Sequence, residues 1–323
     1  MPDSKLTFEA NRLPGADQVV DRLPSVFRLQ SIARFPFDER HTLCQAALFH
    51  EQASLKVEWL CRQPDNRLTV GALVAIRWLG RPVSTMGAVR ISRLVKLERP
   101  EASLDPFTTV LHSWVKDRAL VARATQLWEE LGRPLQHLFN AVFWDHHRFE
   151  RYLDGPSSLA GHHNGRNGNF RHAVEVAERA RALASHHPEA HLPVLIASSL
   201  LHDAGKAEEY RFNGRFRCFE MTERGALLGH KHTVLEWIAA ARAQHRVILP
   251  EAHYLALLHA ITAAKGAPDW LGLREPLSLD AHILSMVDRL SGQADLVARN
   301  APVRGGFGAY HRHLRGRPYV LRE

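Results

Sequence analysis

Cysteine is scarce, with three in 323 residues. Cys44, Cys61 and Cys218 are odd in number and lack CxxC spacing, so neither a disulfide framework nor a zinc ribbon is indicated. They read as small apolar residues. No uninterrupted apolar run approaches the roughly 18 residues of a membrane span. The opening Met1-Pro2-Asp3-Ser4-Lys5-Leu6-Thr7 has no apolar core of a signal peptide. The expected compartment is therefore the cytoplasm, with no membrane partner. Internal repeats and low-complexity segments are also missing, and acid is short: Asp and Glu total 34 against 42 Lys and Arg, a net charge of +8. The resulting pI near 9.7 suits a polyanionic partner, although a basic balance also serves solubility alone. With 45% hydrophobic and 24% charged residues, the chain is globular and long enough for two domains.

Residues 1–24 mix polar residues with Pro14, Gly15 and Pro24 and read as an irregular lead-in. A period of two then sets in over residues 25–99. It predicts strands at Val26–Ala33, Thr42–His50, Ser54–Cys61, Leu68–Leu79 and Ala88–Leu97, separated by turn-forming residues. Five short strands with basic side chains on the later ones are what an OB-type barrel requires, and another small barrel or sandwich would show the same period. Arg77, Arg81, Arg90, Arg93 and Lys96 are its candidate nucleic-acid contacts. Trp59 and Trp78 fall on the apolar parity and are expected in the core rather than under a stacked base. A proline-containing linker covers 100–106. Helical spacing follows over 107–300, with helices expected from Phe107 to Leu131, onward to about Leu153, and then at Arg171–Ser185, Pro193–Ala204, Glu223–Gln244, Pro250–Lys265 and Ser278–Asn300. Residues 301–323 form a basic tail. The expected fold is thus an N-terminal all-β barrel followed by an all-α domain.

Chemistry concentrates at Ser199-Leu200-Leu201-His202-Asp203-Ala204-Gly205-Lys206. An imidazole and a carboxylate at the end of an apolar helix are costly unless something binds there. Gly205 reads as the stop signal of that helix, and Lys206 is placed to meet an anion. A hydrogen-bonded ion pair closing the helix is the simpler alternative for His202 and Asp203 alone. However, His172, His230 and Asp288 stand in comparable apolar helical settings. An unpaired carboxylate at Asp288 would need a cation or several donors. Imidazoles and carboxylates together suit a borderline divalent ion such as Mn, Fe, Co, Ni or Zn.

The order His172, His202-Asp203, Asp288 resembles the HD superfamily of metal-dependent phosphohydrolases. Three strings are similar to the YhaM-type 3′-to-5′ exoribonucleases of that superfamily. They are Gly161-His162-His163-Asn164 leading to Arg171-His172, then Leu200 to Lys206, then Thr222-Glu223-Arg224-Gly225-Ala226-Leu227-Leu228-Gly229-His230. The third is the most discriminating, and together they cover roughly Gly161 to Gly292. Val70-Gly71-Ala72-Leu73-Val74 and Gly87-Ala88-Val89-Arg90-Ile91 resemble the last strands of the OB domain that precedes the HD domain in this family. The resemblance implies His172, His202, Asp203 and Asp288 as metal ligands, with Asp203 and Lys206 catalytic. His162, His163, Asn164 and Arg171 are then candidate substrate contacts. His230 and His259 are candidates for a second metal or for substrate. The chain also departs from the family. Asn169-Phe170-Arg171 stands where the family tends to have Leu-Leu-Glu. Ala263-Ala264 replaces a His-His pair that helps hold a second ion, so one ion per chain is expected.

The expectation is a metal-dependent phosphodiesterase acting as a 3′-to-5′ exonuclease on single-stranded RNA or DNA; direction and RNA preference come from the resemblance alone. A relaxase-like HD nuclease of a conjugative element is a second enzymatic reading. A nucleic-acid-binding protein with a weakened HD domain is the non-enzymatic one, and a homo-oligomer is open to any of them.

Overall fold

A computed structural model describes residues 23–79, 88–268, 270 and 272–321. The chain divides into two units. One takes the described residues up to Pro100 together with Asp105–Lys116; the other takes Glu101–Leu104 and the chain from Asp117 onward.

The first unit is built on five strands, β1 (Phe27–Pro36), β2 (Thr42–His50), β3 (Ala53–Cys61), β4 (Leu73–Trp78) and β5 (Val89–Lys96). They close into a barrel in the order β1-β2-β3-β5-β4, which leaves no open sheet edge. All pairs are antiparallel except β3 with β5. Alternation produces this arrangement: Leu55, Val57 and Trp59 are buried in the core while Lys56 and Leu60 face outward. Trp78 packs against the same core, as its parity predicts. Phe49 is buried, whereas Phe35 and Phe37 are exposed. The fourth strand is shorter than the period suggests: Leu68 joins the core from a turn, and the ladder begins only at Leu73. Cys44 is buried with its sulfur 3.6 Å from that of half-buried Cys61, but Cys218 is exposed, so the reading of all three cysteines as packing residues fails for Cys218.

Arg28 on β1 is 2% exposed. Its guanidinium donates to the Thr109 carbonyl (2.9 Å), the Thr109 hydroxyl (2.9 Å) and the Gly71 carbonyl (2.8 Å), and lies 4.9 Å from the Trp114 ring centre. These bonds keep the segment after Thr109 out of a helix. The helix expected from Phe107 to Leu131 is only a short 3₁₀ turn at Phe107–Thr109, and α1 (Arg118–Glu129) starts where the Asp117 carboxylate accepts the Leu120 N–H. A continuous α-helix would commit the Thr109 carbonyl to an N–H one turn on; here it serves Arg28. Val110, Leu111, Trp114 and Val115 are still buried, so their helical spacing reports burial without a helix. Replacing Arg28 with Met leaves buried carbonyls unsatisfied, at about 1–3 kcal/mol each. We expect Arg28→Met to lower the barrel's stability by about 3 kcal/mol, read as an earlier urea midpoint; an unchanged midpoint would remove Arg28 from this role.

The second unit is helical: α1, α2 (Arg133–Val142), α3 (His146–Asp154), α4 (Gly168–Ala184), α5 (Leu192–Leu201), the single turn α6 (Lys206–Glu209), α7 (Glu223–Gln244), α8 (Glu251–Thr262) and α9 (Leu279–Asn300). The single helix expected between Pro134 and Leu153 breaks at Phe143–Asp145, where the Asp145 carboxylate accepts the His147 N–H and starts α3. Between α6 and α7 stands an unanticipated hairpin, β6 (Tyr210–Asn213) and β7 (Cys218–Met221). The tail forms a second small pair, β8 (Gly306–Phe307) with β9 (Tyr319–Val320). α5 is the centre of this unit. It is buried from Val194 to Leu201, its Ser198 and Ser199 hydroxyls bond back to Val194 and Leu195 carbonyls, and it packs against α4, α8 and α9. No helix among the described residues is long and apolar enough to cross a membrane.

Candidate metal centre

The C-terminal end of α5 carries His202 and Asp203. The His202 N–H still donates to the Ser198 carbonyl (2.8 Å), so His202 caps α5 and Asp203 lies in the turn before α6. Gly205 does not end the helix by a left-handed turn, since its φ is −61°. Its constraint is contact: a Cβ there would lie 2.1 Å from the backbone oxygen of His230. α7 approaches this turn closely because Gly229, at φ 71°, kinks it and re-aims His230 toward Asp203. The Asn169 amide (3.3 Å to the Asp203 carbonyl) and the buried Tyr152 hydroxyl (2.9 Å to the Leu200 carbonyl) hold the main chain of the turn.

Four side chains converge here. His172 Nε2 is 3.0 Å from Asp288 Oδ1 and 3.5 Å from Asp203 Oδ2, while His202 Nε2 is 3.5 Å from Asp203 Oδ2 and 3.6 Å from Asp288 Oδ1. His172, His202 and Asp203 are the one group of this kind among the described residues that could hold a metal ion. Asp203 Oδ1 faces His230 Nε2 at 3.3 Å. Lys206 Nζ donates to Asp203 Oδ2 (2.5 Å) and to the Ser157 hydroxyl (3.3 Å).

These donors fit a divalent ion. Bonds of about 2.1 Å put neighbouring ligand atoms roughly 3.0 Å apart in an octahedron and about 3.4 Å apart in a tetrahedron, close to the 3.0–3.6 Å found here. The Nδ1–H of His202 donates to the Ser199 carbonyl (2.8 Å), which turns Nε2 inward, and that buried nitrogen has no hydrogen-bond partner. His172 is oriented in the same manner, with Nδ1 on the Ser291 hydroxyl (3.2 Å) and Ser291 on Glu175 (3.2 Å). Burial would raise the Asp203 carboxyl, but Lys206, His202, His230 and His172 outweigh it and hold it well below its ordinary value. Burial of Asp288 is likewise outweighed by the neighbouring His172 and His202 imidazoles, which lower its pKa. For His202, burial disfavours the charged form, yet the Asp203 and Asp288 carboxylates reverse the sign and raise its pKa. At His172 burial prevails and the pKa falls. The field at His202 Nε2 thus favours a positive charge, proton or ion.

The other sequence candidates separate. His162 lies beside the cluster, its ring 5.0 Å from that of His172, and burial pushes its pKa down to about 4. The His163 ring is 5.7 Å from His172, with Nε2 3.6 Å from Glu175. Asn164 is engaged by Arg299 (3.5 Å), and Arg171 pairs with Asp117 (2.9 Å). His259 is committed elsewhere, its Nε2 accepting the Leu277 N–H (3.0 Å). Ala263 is the C-cap of α8. Lys206, expected to meet an anion, is 9% exposed and ion-paired with Asp203. Sequence reasoning missed the orienting residues Ser157, Glu175, Glu209 and Ser291. Glu209 holds His230 Nδ1 at 2.7 Å. Two of them had a signal: Glu175 follows His172 by three residues, and Ser291 follows Asp288 by three, so each shares a helix face with a ligand. No protein-family model matches this chain, and no solved structure matches it.

Proposed function

We propose that the helical unit holds one divalent ion on His172, His202, Asp203 and Asp288 and hydrolyses phosphodiester bonds of single-stranded RNA or DNA, as an HD-type phosphodiesterase working 3′ to 5′. The observation that carries this reading is the buried, unpartnered Nε2 of His202 among two carboxylates and a second imidazole. A bound ion would supply Lewis acidity, activating water and neutralising phosphate oxygens near neutral pH. Asp203 and Asp288 stay ionised and supply the negative ligand charge. Ser199 and Ser291 fix the two imidazoles, and Glu209 holds His230 on the far oxygen of Asp203. Lys206 adds a cation beside the centre that can stabilise charge on a transferring phosphoryl group. With Ala263-Ala264 in place of two imidazoles and His259 turned to Leu277, the ligands present support a single ion.

Strand binding by the barrel has its own support. Arg77 and Arg93 are exposed and stand directly opposite each other across β4 and β5, an arrangement that destabilises a sheet unless an anion lies over it. Among the described residues neither forms an ion pair. Arg90, by contrast, is paired with Glu58 (3.1 Å), Lys96 is half-buried, and Arg81 lies outside the described residues. Replacing Arg77 and Arg93 together by Ala should reduce the slope of log affinity against log salt by about 1.5–2. An unchanged slope would move strand binding elsewhere.

End-labelled single strands, incubated with the Mn²⁺-loaded protein with and without chelator, test the reading. The expected result is stepwise shortening from the 3′ end that stops when the ion is removed. Strands that are bound but stay intact with every divalent ion would favour the binding-protein alternative, toward which Ala263-Ala264 points.

A further inference from the structure

Of the four ligand side chains only Asp288 is substantially open, at 43% exposed against 0–7% for His172, His202 and Asp203. It opens into a cavity of about 490 Å³. Besides Asp288 and His162, the cavity is lined by Leu159 and Leu296, by Arg289 and Gln293 on α9, and by Arg312 from the C-terminal segment. That segment, read from sequence only as a basic tail, therefore supplies part of the wall beside the metal centre. The volume is in the range of about 300–1,000 Å³ typical of small-molecule pockets, the size of one nucleotide rather than a length of strand. Its chemistry has two parts. Leu159 and Leu296 offer apolar surface to the face of a base, with the Gln293 amide able to donate to and accept from a base edge. Arg289 and Arg312 are exposed cations with no ion pair among the described residues, and a guanidinium fork matches phosphate oxygens.

We propose that this cavity receives the terminal nucleotide of the strand, with Arg289 and Arg312 on its phosphate and the Leu159–Leu296 wall against its base. The proposal rests on the nuclease reading above and adds to it a substrate unit, a single nucleotide carrying phosphate. A terminal pocket of this kind admits a strand end and excludes a continuous strand. It also binds the mononucleotide released, so the nucleoside 5′-monophosphate is a competitive product inhibitor.

Calorimetry on the full-length Mn²⁺-loaded protein tests this with adenosine 5′-monophosphate as the probe and inorganic phosphate as comparator. The monophosphate should bind more tightly than phosphate. Arg312→Ala should weaken both ligands by about 10–100-fold, as expected for lost charge-assisted bonds, and Leu159→Ser should weaken the nucleotide alone. Metal content should be unchanged in both variants. Nucleotide binding no tighter than phosphate, or indifferent to both substitutions, overturns the proposal even if strands are cleaved. Binding that follows the pattern in a protein that leaves strands intact instead refutes the nuclease reading and keeps the mononucleotide pocket.

Discussion

Asp203→Asn should abolish both retention of a divalent ion and strand cleavage. The two oxygens of Asp203 serve different partners: Oδ2 faces His172, His202 and Lys206, and Oδ1 faces His230. Asparagine keeps the shape and one carbonyl acceptor for Lys206 but removes the charge, so the loss in metal affinity should exceed the roughly 10–100-fold typical of residues that only orient ligands. Alanine is the poorer test. It would strand the nearly buried Lys206 ammonium without its carboxylate, at about 3–5 kcal/mol, mixing unfolding with metal loss. Metal analysis of dialysed parent and variant reads the effect, and unchanged metal content in Asp203→Asn would remove this residue from the centre.

The second large effect is expected from one methyl group. In Gly205→Ala the added Cβ would sit 2.1 Å from the His230 oxygen and 2.8 Å from its carbonyl carbon. Both are main-chain atoms, so no rotamer change relieves the overlap. Either the turn bearing Asp203 or the kinked start of α7 must move. Overpacking of this kind costs about 3 kcal/mol or more, visible as a lower urea midpoint, and it should separate His230 from Asp203. A variant as stable as the parent would show that the approach of α7 to this turn is looser than described.

Much of this was legible in the chain, for physical reasons that also mark where legibility ends. The barrel strands announce themselves because one face is buried and the other solvated, as Leu55, Val57 and Trp59 against Lys56 show. α5 is legible as an apolar run, and His202-Asp203 stands out because polar groups at its end demand a partner. The β6–β7 hairpin is not legible: strands of four residues around a turn with Arg217 at φ 51° are too short for a period to register. The start of α1 depended on Arg28, 81 residues before the carbonyl it claims. α7 read as one helix because its apolar spacing does not record the reversal of φ at Gly229. The ligand residues could be proposed from local pattern, whereas main-chain groups that engage their imidazoles leave no trace in residue type: the Ser199 carbonyl on His202 lies one turn back, and the Leu277 N–H on His259 comes from a separate segment.

The central claim is that these four side chains form one ion site. Anomalous diffraction from crystals of the full-length protein grown with Mn²⁺ tests it most directly. The account predicts a single peak per chain, bonded to His172 Nε2, His202 Nε2, Asp203 and Asp288. No peak at this cluster under saturating Mn²⁺, or two fully occupied peaks, would contradict it.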